Sequence, residues 1–278
     1  MPLEVETLAH GYGLIEGPRV DSDGNLFFSD VTNGGVHRRA PDGAVTTVVP
    51  RRRGVGGIAL HAEGGLVISG RDVCHVKDGT TRILLERPEG VGGFNDLFVD
   101  AAGRVLVGSL RSNPFELGRE RETGECWRID GEGKSVVLYD GVGLGNGIGF
   151  SPDAGTLYHS DTAAGAVLAH DVAPDGSVSN RRVFAECDAP DGLAVDAAGG
   201  VWVASYGGGC VVRFDATECV ERRVAVPAKL VSSCCFGGDD LRDLIVTSQD
   251  NTEAPERRGS IFRLRTDLPG LPPPLAQV

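Results

Sequence analysis

The chain has 278 residues and a formal net charge of −12, with a sequence pI of about 4.9. That balance argues against nucleic acid or anionic membranes as partners and is compatible with cation binding. No apolar run approaches the roughly 20 residues of a membrane span, Glu4 and Glu6 stand where a basic leader would begin, and the seven cysteines contain no Cys-x-x-Cys, so a cytoplasmic protein with mostly buried thiols is expected.

Leu3 to Leu8 reads as a lone strand. Six related segments follow, each a polar or small head, a short apolar strand, a tight turn and a second strand. The first runs from Glu16-Gly17-Pro18 through Asp21-Ser22-Asp23-Gly24 to Ser29-Asp30. The second starts at Gly56, the third at Asn95-Asp96, and the fourth at Asn146-Gly147 with its second strand ending at Ser160-Asp161. The fifth is Pro190-Asp191-Gly192-Leu193-Ala194-Val195 with the turn Asp196-Ala197-Ala198-Gly199, and the sixth starts at Ser232. The heads are spaced by roughly 40–50 residues, the length of a four-stranded propeller blade. Two further β-rich runs follow most of these pairs, such as Cys126–Ile129 and Ser135–Tyr139, and no stretch has helical periodicity. The fold predicted is an all-β, six-bladed β-propeller closed by the N-terminal strand, which supplies the outer strand of the blade beginning near Ser232. Residues 1–278 form a single domain in this reading. The segment from about Leu268, with Pro269 and Pro272-Pro273-Pro274, cannot pair in a sheet and is expected to be a tail.

In a propeller the first strand of each blade lines the central channel, so the six heads meet at one mouth. They are Glu16, Gly56, Asn95, Asn146, Asp191 and Ser232. Four carry a carbonyl or carboxylate oxygen on a short side chain, a set that suits a hard divalent cation such as Ca²⁺ better than zinc. The same residue types also cap strand starts by bonding local backbone. The connection Leu110 to Glu125 should return to the same mouth. Its length makes it either a lid or a solvated excursion, with Arg111, Phe115 and Arg119 as candidate substrate contacts. Arg51-Arg52-Arg53 reads as a solvated loop, and His159, on a second strand, as a hydrogen-bonded structural residue. No helix follows the glycines at 145–149, so they are not a phosphate cradle, and no G-x-S-x-G nucleophile elbow occurs.

Glu16-Gly17-Pro18, Asn95-Asp96, Asn146-Gly147-Ile148-Gly149-Phe150-Ser151-Pro152-Asp153, Pro190-Asp191-Gly192 and Phe236-Gly237-Gly238-Asp239-Asp240-Leu241 together resemble the gluconolactonase/regucalcin-like (senescence marker protein) family of six-bladed propellers. The resemblance implies that Glu16, Asn146 and Asp191 ligate one divalent cation, with Asn95 beside it contacting substrate or bound water. Ca²⁺ is the first choice, and Zn²⁺, Mg²⁺ and Mn²⁺ are alternatives. The expected activity is metal-dependent opening of a small lactone, with Asp191 as general base and Asn95 as orienting group. Sugar-lactone members usually carry Arg two residues before the Asn of their Asn-Asp-Gly motif, whereas here that position is Gly93, and Leu97 replaces the motif's Gly. With Phe94, this departure points to a less polar lactone than a typical sugar lactone. Rival readings are a phosphotriesterase-like hydrolase at the same site and a non-enzymatic calcium-binding propeller. The expected partner is a small lactone or ester, and the expected assembly a monomer or small homo-oligomer.

Overall fold

The aspartates that lead the tight turns of the first, third and fifth segments close those hairpins in the same way. Asp21 Oδ1 accepts from the N–H of Asp23 (3.0 Å) and Asn25 (2.8 Å). Asp100 Oδ1 does so from Ala102 (2.9 Å) and Arg104 (3.0 Å), and Asp196 Oδ1 from Ala198 and Gly200 (both 2.9 Å). The fourth residue of these turns is Gly24, Gly103 or Gly199, each at positive φ, where a side chain would be strained.

In the computed structural model, which describes residues 4–115 and 122–278, the six segments extend into six four-stranded antiparallel sheets. The protein is an all-β, six-bladed β-propeller. The inner strands of blades one to six are Ile15–Val20, Ile58–Leu60, Gly93–Val99, Gly145–Phe150, Pro190–Val195 and Val231–Gly237. Helix among the described residues is confined to the 3₁₀ turns Gly131–Gly133 and Pro255–Arg257. As expected, the N-terminal strand closes the ring: Val5–Tyr12 pairs antiparallel with Gly259–Arg265 as the outer strand of blade six.

Apolar side chains from the facing sheets fill the wedges between blades. Trp202 and Val211 of blade five pack with Cys234, Leu244 and Phe262 of blade six, all fully buried. Around the channel the inner strands approach closely, and the residue after a head is small in every blade but the third, where it is Asp96. A Cβ at Gly147 would lie 2.3 Å from the Leu193 nitrogen, and one at Gly192 would lie 2.0 Å from Ser233 Oγ.

The C-terminal segment corrects the picture of a tail. It forms no strand, in keeping with its prolines, but it lies docked across the end of the channel opposite the heads. Ala197 N–H donates to Pro269 O (2.9 Å) and Gly270 N–H to Leu241 O (2.7 Å). Further on, Ala276 N–H donates to Leu60 O (2.8 Å) and Gln277 N–H to Gly103 O (2.8 Å). Ala276 is fully buried in the wedge between blades two and three. The segment therefore ties blades five and six to blades two and three.

Arg51–Arg53 also differs from a purely solvated loop. Arg52 is anchored to blade two through Asp72 Oδ1 (2.6 Å), while Arg51 and Arg53 are exposed. His159 is structural, as expected: it is fully buried and its Nδ1 pairs with the Tyr139 hydroxyl at 2.8 Å.

Candidate metal and active site

Glu16, Asn95, Asn146 and Asp191 all line one cavity of about 670 Å³ at the upper mouth of the channel. The loops that lead into the first and fourth inner strands are fixed by the ends of their own second strands. Asp30 Oδ2 accepts from Gly13 N–H (3.0 Å), just ahead of Glu16. Asp161 accepts from the N–H of Gly143 (2.9 Å) and Leu144 (3.1 Å), just ahead of Asn146.

The side chains are themselves oriented. Asn95 Nδ2 donates to Gly145 O (2.9 Å) and to Asn146 Oδ1. Asn146 Nδ2 donates to Thr162 Oγ1 (2.6 Å), and that hydroxyl donates to Pro190 O, beside Asp191. This relay crosses blades three, four and five and fixes which edge of the Asn146 amide presents oxygen. Gly56 is the head that makes room: a Cβ there would lie 2.3 Å from Asn95 Oδ1. The sixth head, Ser232, is not part of the cavity; its hydroxyl donates to Ile15 O at 2.6 Å.

Glu16, Asn146 and Asp191 are 9 %, 8 % and 7 % exposed, and no arginine or lysine among the described residues forms an ion pair with either carboxylate. Burial, then the charges of Asp191 and Asp96, hold the Glu16 carboxyl well above the ordinary range. Burial and the Asp96 charge do the same for Asp191. Asp96, deeper in the channel, is pushed up to about 6 by burial, with Arg19 opposing at 4.0 Å. Two buried carboxylates facing one space, joined by two amides, form an all-oxygen set that fits a hard divalent cation. No group of three or more His, Cys, Asp or Glu is placed to hold a metal among the described residues, so such a site has to draw on the asparagines.

Several site features were not visible in the sequence. Thr162 and Tyr206 line the cavity from the loops after second strands, outside the head positions. Tyr206 donates its hydroxyl to Gln249 Oε1, and burial together with Asp191 and Glu16 pushes that hydroxyl up to about 12, so it stays a donor. The buried Arg19–Asp96 pair below the site arises because Asp96 stands where the neighbouring inner strands carry glycine.

The connection after blade three is sorted by the same geometry. Phe115 lines the cavity and is 66 % exposed, as a substrate contact would be. Arg111 instead turns to Glu125, donating from Nε to Oε1 at 2.7 Å, and is not a cavity residue. Arg119 lies outside the described residues. Leu97 is fully buried core and does not line the cavity, whereas Phe94 does.

Residues 14–250 match the family described as the SMP-30/Gluconolactonase/LRE-like region. The chain belongs to this family. Among its relatives, a 6-deoxy-6-sulfogluconolactonase of Pseudomonas putida is 33 % identical over 268 residues, covering 90 % of each chain. A pentonolactonase of Haloferax volcanii is 32 % identical over 265 residues, covering 89 % of this chain and 88 % of that protein. The solved structure of regucalcin from Agrobacterium tumefaciens, named a calcium-binding protein, superposes with a TM-score of 0.86 at 23 % identity, covering 100 % of this chain and 99 % of that one. This last likeness speaks to the fold: the SMP-30/gluconolactonase propeller is the architecture described above.

Proposed function

We propose that the protein is a metal-dependent lactonase whose cation is held by Glu16, Asn146 and Asp191, with Asn95 beside it. The observation that carries this reading is the convergence of those four oxygen donors, two of them buried carboxylates with no ion-pair partner among the described residues, in one open cavity. Lactonase relatives that match nearly the whole chain support the reaction class. When bound, a divalent cation would neutralise the carboxylates and supply Lewis-acid polarisation of the lactone carbonyl. The oxygen donors favour Ca²⁺, with Mg²⁺, Mn²⁺ and Zn²⁺ as competitors to be compared.

Asp191 takes a proton from the attacking water as general base. The water oxygen bonds to the acyl carbon, the acyl–oxygen bond of the ring breaks, and the ring oxygen recovers a proton as the alcohol of a hydroxy acid. Asn95 and Asn146, locked by the relay to Thr162, orient carbonyl and water. Tyr206, held protonated, gives its one proton to Gln249 Oε1 and presents a hydroxyl oxygen as acceptor on the cavity wall.

Two relatives are named for sugar lactones. In this chain the position of the sugar-binding arginine is Gly93, and a Cβ there would lie 3.0 Å from Gly70 O. A side chain at 93 would crowd the backbone of the blade-two loop at Gly70, and Phe94 and Leu110 line the wall beside it. The substrate proposed is therefore a lactone with more apolar ring surface than gluconolactone.

A panel of lactones and a paraoxon-like triester, assayed with each of the four metals, tests the assignment. Lactone turnover is expected, and Asp191→Asn should lower kcat by about 10²–10⁴-fold. Turnover of the triester alone would favour the phosphotriesterase reading. Metal binding without turnover of any substrate would favour a calcium-binding propeller.

A further inference from the structure

The cavity over the candidate metal site has two chemically opposite ends. Its acidic residues, Glu16 and Asp191, are both at the buried end on inner strands. Its two arginines, Arg71 and Arg87, are both exposed and belong to loops of blade two and the blade two–three connection. No carboxylate other than Glu16 and Asp191 lines the cavity among the described residues.

Neither arginine is consumed by the fold. Arg71 has no hydrogen bond or ion pair among the described residues. Arg87 makes one hydrogen bond, Nη1 to Gly92 O at 3.2 Å, and no ion pair among the described residues. Two arginines of neighbouring loops that do not line the cavity are instead neutralised, Arg52 by Asp72 at 2.6 Å and Arg111 by Glu125. In a chain with a net charge of −12, two unpaired guanidiniums facing one cavity form a local inversion of charge. A guanidinium offers a planar fork of donors suited to a carboxylate, sulfonate or phosphate oxygen pair. Leu14, Phe94, Leu110 and Phe115 also line the cavity and suit the carbon skeleton of a ring and its arm.

Resting on the lactonase reading above, we infer that the substrate is an anionic lactone, a ring whose substituent carries a fixed negative charge read by Arg71 and Arg87 at the cavity mouth. These are specificity residues, remote from the reacting bond, so their effect falls on KM more than on kcat. Arginine delivered from blade two takes over substrate selection in a fold where position 93 has no side chain to perform it.

The test compares three δ-lactones on the same ring, with a methyl, a carboxymethyl or a sulfomethyl arm, using metal-supplemented full-length protein. At low salt, kcat/KM for at least one charged ring should exceed that for the methyl ring by about tenfold, the size of one charge-assisted contact. The better of the two charged arms identifies the acid. The difference should lie in KM and shrink several-fold between about 0.05 and 0.5 M salt, because exposed charges are screened. In Arg71→Gln/Arg87→Gln the charged-to-neutral ratio should collapse to about one, whereas Arg71→Lys/Arg87→Lys, which keeps the charge, should retain most of it. A wild-type ratio of one or less, or a ratio unchanged in the Gln variant, would overturn the inference while leaving the lactonase reading intact. Failure to open any of the three rings would overturn the lactonase reading itself.

Discussion

Glu16 and Asp191 show how a variable position in a repeat brings carboxylates to one cavity. The repeat requires the strand and turn after each head, so a carboxylate or amide at the head is free to serve something else, and the head column was legible for that reason. Thr162 and Tyr206 were not legible, because they follow second strands in loops whose approach to the cavity depends on blade tilt. The buried carboxyls also make a pH statement. Their raised values mean that metal-free folded protein binds protons which the unfolded chain, near about 4, has released. Their stabilising contribution is complete below that point and is lost as pH rises through the folded values, with Asp96 at about 6 marking part of the window. Surface groups such as Asp240, held down by Arg265, act in the opposite direction, so the comparison must be internal. Metal-free Glu16→Gln/Asp191→Asn should melt above metal-free wild type by a margin that grows from pH 4 to 7. A margin that shrinks over that range would contradict the electrostatics.

At the scale of the element, the aspartate-led hairpins were readable because Asp at the first turn position and Gly at the fourth each have a local physical cause. Blade number followed from the roughly 40–50-residue spacing of the six heads. The glycine after a head has a non-local cause, the neighbouring inner strand, and no local pattern announces it. Gly147→Ala tests that contact: its Cβ would meet backbone 2.3 Å away, so the inner strands of blades four and five must part. Overpacking of this kind costs about 1–3 kcal/mol. The variant should unfold at correspondingly lower urea and bind metal more weakly, since Asn146 precedes it. Unchanged stability would show that the channel is looser than the contact implies.

For the whole molecule, the sequence revealed closure by the N-terminal strand but not the second clasp made by the C-terminal segment. Prolines exclude that segment from a ladder and say nothing about where it docks. His61 Nε2 and the Val278 oxygen lie 3.0 Å apart, Arg82 Nη2 donates to the same oxygen at 2.6 Å, and Ala276 is fully buried. Removing residues 275–278 should cost about 2–4 kcal/mol and lower Tm by roughly 5–10 °C. Because the clasp lies at the end of the channel away from the heads, KM for a neutral lactone should be unaffected. A truncated protein with wild-type Tm would mean that the docked segment adds no stability.

The proposed lactonase, with one cation held among the four heads, is put to the test by pH-stat hydrolysis of a lactone with chelator-stripped protein into which Ca²⁺ is titrated back. Negligible turnover is expected when stripped, with recovery that saturates at one equivalent of metal, and no recovery in Asp191→Asn. Full lactone hydrolysis by the stripped wild-type protein would contradict it.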